Sequence, residues 1–273
     1  VSSRFHQPRG PQRIICLTEE PTETLYALGE SERIVGISAY TLRPSAAKRD
    51  KPIVSAFVGG SVEKIVALRP DLVIGFSDIQ ANLARDLIAA NLQVLIFNQR
   101  SIQEILDVIM NIARIVNARD RGVALVDRYL RRLDTAEKSA AARTEKPRVY
   151  FEEWDEPTIC GIQWVSELIA LAGGQDIFAA KSKGKLAKQR FVSRQEILAA
   201  DPEVVFASWC GKKFDRAAFT SREGFASMSA ILSGRVHEVA PEIILQPGPA
   251  CLTDGLDFLI SALARTGSAP SKP

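Results

Sequence analysis

The chain has 273 residues, 46% of them hydrophobic and 25% charged, enough to bury a core as one large or two modest domains. Its net charge of +3 is too small to imply nucleic acid or an anionic membrane as a partner. No apolar run approaches the roughly 20 residues needed to span a bilayer.

Residues 1–11 are polar and hold no apolar leader, so no signal peptide is expected in them; a secreted protein after processing would read the same. Residues 13–17 (RIICL) read as a strand, followed by a loop over 18–21 and a helix ending at Gly29, which suits a C-terminal cap. A second short strand is expected at 33–37. Residues 38–54 read as loop, with Pro44, Pro52 and a basic cluster of Lys48, Arg49 and Lys51. The glycine-ended stretch 55–60 precedes a helix, a place where a loop often faces a ligand.

Residues 61–76 (SVEKIVALRPDLVIGF) form the organising unit. An amphipathic helix is stopped before Pro70, because the residue ahead of proline is pushed out of the helical region. An apolar run then suits a parallel strand covered on both faces. The same text returns without a gap at 193–208 (SRQEILAADPEVVFAS), aligning Ser61 with Ser193, Pro70 with Pro202 and Asp71 with Glu203. Strand, loop, helix and glycine also precede it in both halves, at 13–29 and at 148–173. Two copies are too few for a solenoid. They predict an α/β fold of two similar lobes with parallel-type central sheets, although convergent reuse of such units is the plainer alternative.

A helix at 80–90, a strand at 93–97 and a helix opened by Ser101 and Glu104, in capping-box spacing, complete the first half. A long helix over 118–143 follows, with Leu125, Tyr129, Leu133 and Ala136 on one face and charges on the other, most simply a solvated face. About 25 residues at 1.5 Å each could run from lobe to lobe and leave only a small opening motion. The expected division is a lobe at 12–117, a connecting helix segment at 118–146, a lobe at 147–266 and a disordered tail at 267–273. In the second lobe, residues 155–164 read as a loop and 181–190 as a basic loop. Trp209-Cys210-Gly211-Lys212-Lys213 follows a strand directly, where open α/β sheets bind ligands. A helix at 221–232, a strand at 235–239, a loop at 241–249 and a helix near 252–263 close the lobe.

No P-loop, GxGxxG, GxSxG or HExxH pattern is present. His6 and His237 are the only histidines, so no multi-histidine metal site is available. Glu152, Glu153 and Asp155 could bind a cation or trade protons, but nothing pairs with them by spacing. Cys16, Cys160, Cys210 and Cys251 lack CxxC spacing and read as buried free thiols, with a bridge from Cys210 to Cys160 or to Cys251 as the alternative. Cys16 has no apolar leader before it, which argues against lipid modification. The residues do not argue for an enzyme. Aromatic and basic side chains in loops at the lobe faces stand out instead: Tyr40, Phe57, Trp154, Trp209, Lys188, Arg190, Lys212 and Lys213. Trp164 reads as core.

GISAY with Pro44 at 36–44, the stretch 54–76, and the segment from AGGQDIF at 172 to VSRQEIL at 192 resemble a known family. These are the substrate-binding proteins of ABC importers for cobalamin, haem and iron–siderophores, the cobalamin-binding members most of all. The resemblance spans about residues 13–263. It implies two α/β lobes joined by one long helix, a large metal chelate such as cobalamin clamped between them, no catalysis and no cofactor. It also implies an extracytoplasmic monomer and a membrane permease as partner. Carried over, Tyr40 and Phe57 match aromatic cleft positions, Phe57 replacing a tryptophan. Glu63 matches the first-lobe glutamate that meets the permease; the second falls at Gln195, with Glu196 one residue on. Trp154, Arg190, Trp209 and Lys212 are this chain's own candidates for ligand contact, because EEWDEP and WCGKK have no clear counterpart in the cobalamin binders. An iron–siderophore or haem binder is the nearest alternative. A nitrogenase-like metallocluster enzyme or metallochaperone, with Cys16, Cys160 and Cys210 as ligands, is the alternative of another class.

Overall fold

The computed structural model describes residues 9–56 and 58–264. The chain divides into two units, one holding residues up to Gln99 with Gln103–Arg128, the other Arg100–Ile102 with the residues from Tyr129 on.

The first unit runs β1 (Ile14–Cys16), α1 (Glu19–Ala27), β2 (Ile34–Ser38), α2 (Ser45–Asp50), β3 (Ile53–Ser55), α3 (Val62–Ala67), β4 (Leu72–Phe76), α4 (Ala81–Ala89), β5 (Val94–Phe97) and, from its second residue on, α5 (Ile102–Ile115). Its sheet has the order β3-β2-β1-β4-β5, every pairing parallel. β1 and β4 are buried along their whole length, as strands covered on both faces must be. Ile15, Leu17, Val54, Ile65, Val73, Leu83 and Leu87 pack one core cluster. Direction along the sheet reverses at β1, so the loops leaving β1 and its neighbours stand at a topological switch point, where such sheets bind ligands.

One continuous helix, α6 (Arg119–Ala141), runs on from the first unit into the second. The second unit then follows: β6 (Arg148–Asp155), β7 (Thr158–Cys160), α7 (Gln163–Leu171), β8 (Gln175–Asp176), α8 (Ala179–Ser182), α9 (Arg194–Ala200), β9 (Val204–Ala207), α10 (Arg216–Thr220), α11 (Ser229–Leu232), β10 (Val236–Glu238), α12 (Pro241–Ile244) and α13 (Leu256–Ala264). Its sheet has the order β10-β9-β6-β7, with β8 also on β6; only β6–β7 is antiparallel. A π-turn at Cys251–Gly255 leads into α13. There Gly255 lets the backbone pass so close to α12 that a Cβ would sit 2.1 Å from the Ile243 carbonyl oxygen.

The sequence repeat extends to individual hydrogen bonds. Asp71 accepts the backbone N–H groups of Gln12 (2.7 Å) and Arg13 (2.8 Å), while the Arg13 guanidinium donates to the carbonyls of Leu68 and Arg69. In the second unit Glu203 accepts the N–H of Arg148 (2.9 Å), and Arg148 donates to the carbonyls of Ala200 and Asp201. Both arginines satisfy carbonyls left open at a helix end. Arg69 and Asp201 occupy the same place in the repeat, each with positive φ (46° and 39°). Ser61 and Ser193 cap α3 and α9 by accepting the N–H of Lys64 and Glu196. Reuse of the helix–proline–strand unit alone would not demand so detailed a match.

Several sequence expectations are corrected. Residues 38–54 are not loop, since α2 and β3 lie within 45–55. α1 starts at Glu19, earlier than expected, because Pro21 sits in the first turn, where a missing N–H costs nothing. The stretch after β6 is a hairpin arm, β7, instead of an open loop. The helix expected over 221–232 is broken by Gly224, whose φ of 84° is left-handed, so only a 3-10 turn and α11 form there. A four-residue helix, α12, replaces the loop at 241. All four cysteines are free, which removes both candidate bridges. The expected tail at 267–273 lies outside the described residues.

Candidate ligand-binding surfaces

In the first unit the loops after β2, β3 and β4 expose Tyr40, Leu42, Val58 and Ile79. Tyr40, Leu42 and Val58 follow the neighbouring strands β2 and β3, and Ile79 follows β4 on the other side of β1; together they give the strand carboxyl ends an apolar rim where polar loop residues would be the default. The backbone alternates across the first loop: Tyr40 is 46% exposed, Thr41 fully buried and Leu42 47% exposed. Phe57, the second aromatic expected here, lies outside the described residues. Glu63 stands exposed in the first turn of α3.

Behind the rim lie two buried carboxyls, Glu19 and Glu20. Glu19 Oε2 accepts the N–H groups of Leu42 and Arg43, and Glu20 Oε1 accepts the Thr18 hydroxyl at 2.9 Å. Their other oxygens are buried without a partner. Desolvation by burial pushes each carboxyl up to about 7.

The second unit concentrates charge and aromatic rings around the ends of β6 and β9. Glu152 is fully buried. It receives both terminal nitrogens of Arg222 (2.6 and 2.9 Å), the Tyr150 hydroxyl (3.0 Å) and the Trp209 indole N–H (3.2 Å). Desolvation by burial still holds its carboxyl above the usual range, against the lowering by Arg222. Next to it Glu153 takes both terminal nitrogens of Arg190, which also donates to the Cys160 carbonyl at 2.7 Å.

At the surface, the Lys212 ammonium lies 4.5 Å from the Trp154 ring centre and 4.7 Å from that of Trp209, and pairs with Asp155 at 2.6 Å. Lys212 therefore pins the β6–β7 hairpin to the loop after β9 by two cation–π contacts and an ion pair. Trp154 is half-buried, and its indole N–H is spent on the Glu156 carbonyl. Lys188 and Lys213 are exposed.

Two expectations change in this unit. Trp209 is no open loop ring: it is 3% exposed and packs edge-on against Phe214 at 5.0 Å. Arg190 is buried as well, committed to Glu153 rather than free to meet a ligand. Trp154, Lys212 and Asp155 remain together at the surface. Glu196 is engaged too. It completes the capping box of α9, accepting the N–H and hydroxyl of Ser193, and pairs with Lys181 at 2.6 Å. The Lys181 hydrogen bond, followed by those from Ser193, draws its carboxyl down to about 2. Trp164 is buried, as expected, donating to the Ile244 carbonyl at 2.9 Å. Leu42, Val58 and Ile79 were missed in the sequence; their signal was apolar character directly after a strand end. Burial pushes the thiols of Cys16 and Cys160 up to about 12. Among the described residues no group of three or more His, Cys, Asp and Glu side chains could hold a metal ion.

Two α/β units of one build, joined by a single long helix, make up the architecture of the chain. The sequence pattern of the periplasmic binding protein family matches residues 14–242, and the chain belongs to that family. The vitamin B12-binding protein of Yersinia pestis (strain Pestoides F) is 25% identical over 244 residues, which cover 88% of this chain and 85% of that protein. The crystal structure of the periplasmic vitamin B12 binding protein of Vibrio cholerae shares the fold with a TM-score of 0.75 at 24% identity, covering 94% of this chain and 98% of that one. A periplasmic haem-binding protein from Pseudomonas aeruginosa does so with a TM-score of 0.79 at 21% identity, covering 96% of each chain. Among the described residues no helix is long and apolar enough to cross a membrane.

Proposed function

We propose that the protein captures a large, flat metal chelate, a corrinoid such as cobalamin, outside the cytoplasm and as a monomer delivers it to the permease of an ABC importer. The observation that carries this reading is the apolar rim of Tyr40, Leu42, Val58 and Ile79 at the carboxyl ends of one parallel sheet. Such a surface suits a broad ring system with few charges. The B12-binding relative supports the corrinoid. Haem or an anionic ferric siderophore is the second reading, favoured by Lys188, Lys212 and Lys213 around the second unit's loops.

Calorimetric titration with cyanocobalamin, haem and a ferric siderophore tests the reading. One-to-one binding of cyanocobalamin with quenching of tryptophan fluorescence is expected. Preference for haem or the siderophore selects the second reading, and no heat with any of the three overturns both.

For delivery, Glu63 is the docking acid we propose, and Glu196 enters only as a comparison. Glu63→Gln is expected to leave ligand affinity unchanged and to slow uptake in vesicles carrying the permease. Glu196→Gln is expected to cost about 1 kcal/mol of stability through the weakened cap, with uptake near normal. Wild-type uptake by both variants would remove Glu63 as a docking post.

A further inference from the structure

The loop after β2 carries two of the four rim residues, and backbone bonds around Ser38 and Ser55 hold its first part. Tyr40 N–H donates to the Ser38 hydroxyl at 3.3 Å, Thr41 N–H to the Ser38 carbonyl at 3.1 Å, and Ala39 N–H to the Ser55 carbonyl at 2.8 Å. Beyond Thr41 the loop is gripped from α1. Glu19, 1% exposed, accepts the adjacent N–H groups of Leu42 and Arg43, and Glu23 accepts the Arg43 side chain at 3.2 Å. Four residues apart on one helix, these acids share a face. One holds the loop by its main chain and the other by a side chain. A carboxyl oxygen accepts from both N–H groups whether or not the carboxyl is ionised. These bonds fix the alternation that turns Tyr40 and Leu42 outward and Thr41 inward.

We infer that Glu19 and Glu23 are positioning residues for ligand capture, holding the loop so that Tyr40 and Leu42 are presented to the ligand; this rests on the ligand-binding reading above. Neither acid needs to touch the ligand. Glu19 sits in the first helical turn, where the helix dipole favours a carboxylate, so stability alone would also explain it. The test must separate the two roles.

The experiment combines amide hydrogen exchange of the ligand-free protein with cyanocobalamin and haem titrations of Glu19→Ala, Glu19→Gln, Tyr40→Ala and the Glu19→Ala/Tyr40→Ala double variant. Glu19→Ala is expected to speed exchange at Leu42 and Arg43 and to weaken binding about tenfold, the equivalent of losing one hydrogen bond. Glu19→Gln keeps an acceptor oxygen and should restore most of the affinity. The double variant should lose less affinity than the sum of the two single losses, because Glu19 acts partly through Tyr40 on that loop. If Glu19→Ala does not fold, Glu19→Asp, whose shorter side chain withdraws from the two amides, carries the same comparison. Faster exchange with unchanged affinity, or strictly additive losses, overturns the inference. Wild-type protein that binds neither probe overturns the ligand reading, while exchange at Leu42 and Arg43 still decides whether the clamp exists.

Discussion

Replacing Arg222 with methionine is expected to destabilise the second unit by about 3–5 kcal/mol at neutral pH, the usual cost of removing one partner from a buried ion pair. Glu152 would keep only the Tyr150 hydroxyl and the Trp209 indole N–H, in a site with no access to water. Arg222 also lies 4.9 Å from the Phe219 ring centre and 5.5 Å from that of Phe225, so methionine retains apolar packing but loses the cation–π contacts. The loss should depend on pH in a definite direction. The folded carboxyl of Glu152 already titrates above its unfolded value. A raised folded value means stability that is present below the unfolded value and lost as pH rises through the folded one. Without Arg222 the carboxyl rises further, so the deficit of the variant should be small in acid and grow towards neutrality. Urea unfolding at pH 4.5 and 7.5 checks this. Adding Glu152→Gln to Arg222→Met should recover much of the loss at pH 7.5. A double variant no better than the single one would show that the unpaired charge is not the cause.

Glu20→Gln, by contrast, is expected to stabilise the protein at pH 8 by about 2 kcal/mol and to change little at pH 5. Glu20 is buried beside the Cys16 thiol and near Glu23, with one oxygen on Thr18 and the other without a partner. No arginine neutralises it, unlike Glu152 and Glu153 in the other unit. A shift from 4.5 to about 7 corresponds to about 3–4 kcal/mol at 1.4 kcal/mol per pKa unit, present below pH 4.5 and lost as the pH rises through 7. Glutamine reproduces the protonated form and still accepts from Thr18, which removes the penalty at high pH; a less favourable fit of its NH2 reduces the gain. Denaturant midpoints for both proteins at pH 5 and pH 8 decide the matter. Equal midpoints at pH 8 would mean that Glu20 ionises without cost in the native state.

The same two networks show where reading the chain in one dimension stops. Ser61, Pro70 and Asp71, with their counterparts Ser193, Pro202 and Glu203, are local signals: a cap, a helix stop and a strand opening, each decided by a few neighbouring residues. Written twice, they disclosed two similar α/β units, and the apolar stripe of α6 disclosed the helix joining them. The sites were less legible. Arg190 and Lys212 both read as loop cations, and Trp154 and Trp209 both read as loop aromatics. Only the fold buries Arg190 on Glu153, 37 residues away, and lays Lys212 over both tryptophans.

By itself, then, the sequence determined the architecture, the position of the capping serines and the strand ends that carry the candidate residues. These follow from backbone propensity and from apolar spacing within a dozen residues. Which of the second unit's loop cations and loop aromatics face solvent was decided by tertiary structure. Glu152 and Arg222 are 70 residues apart, and Glu19 meets Leu42 across 23. A charge is tolerable in the interior only where such a distant partner arrives, and no local pattern announces its arrival.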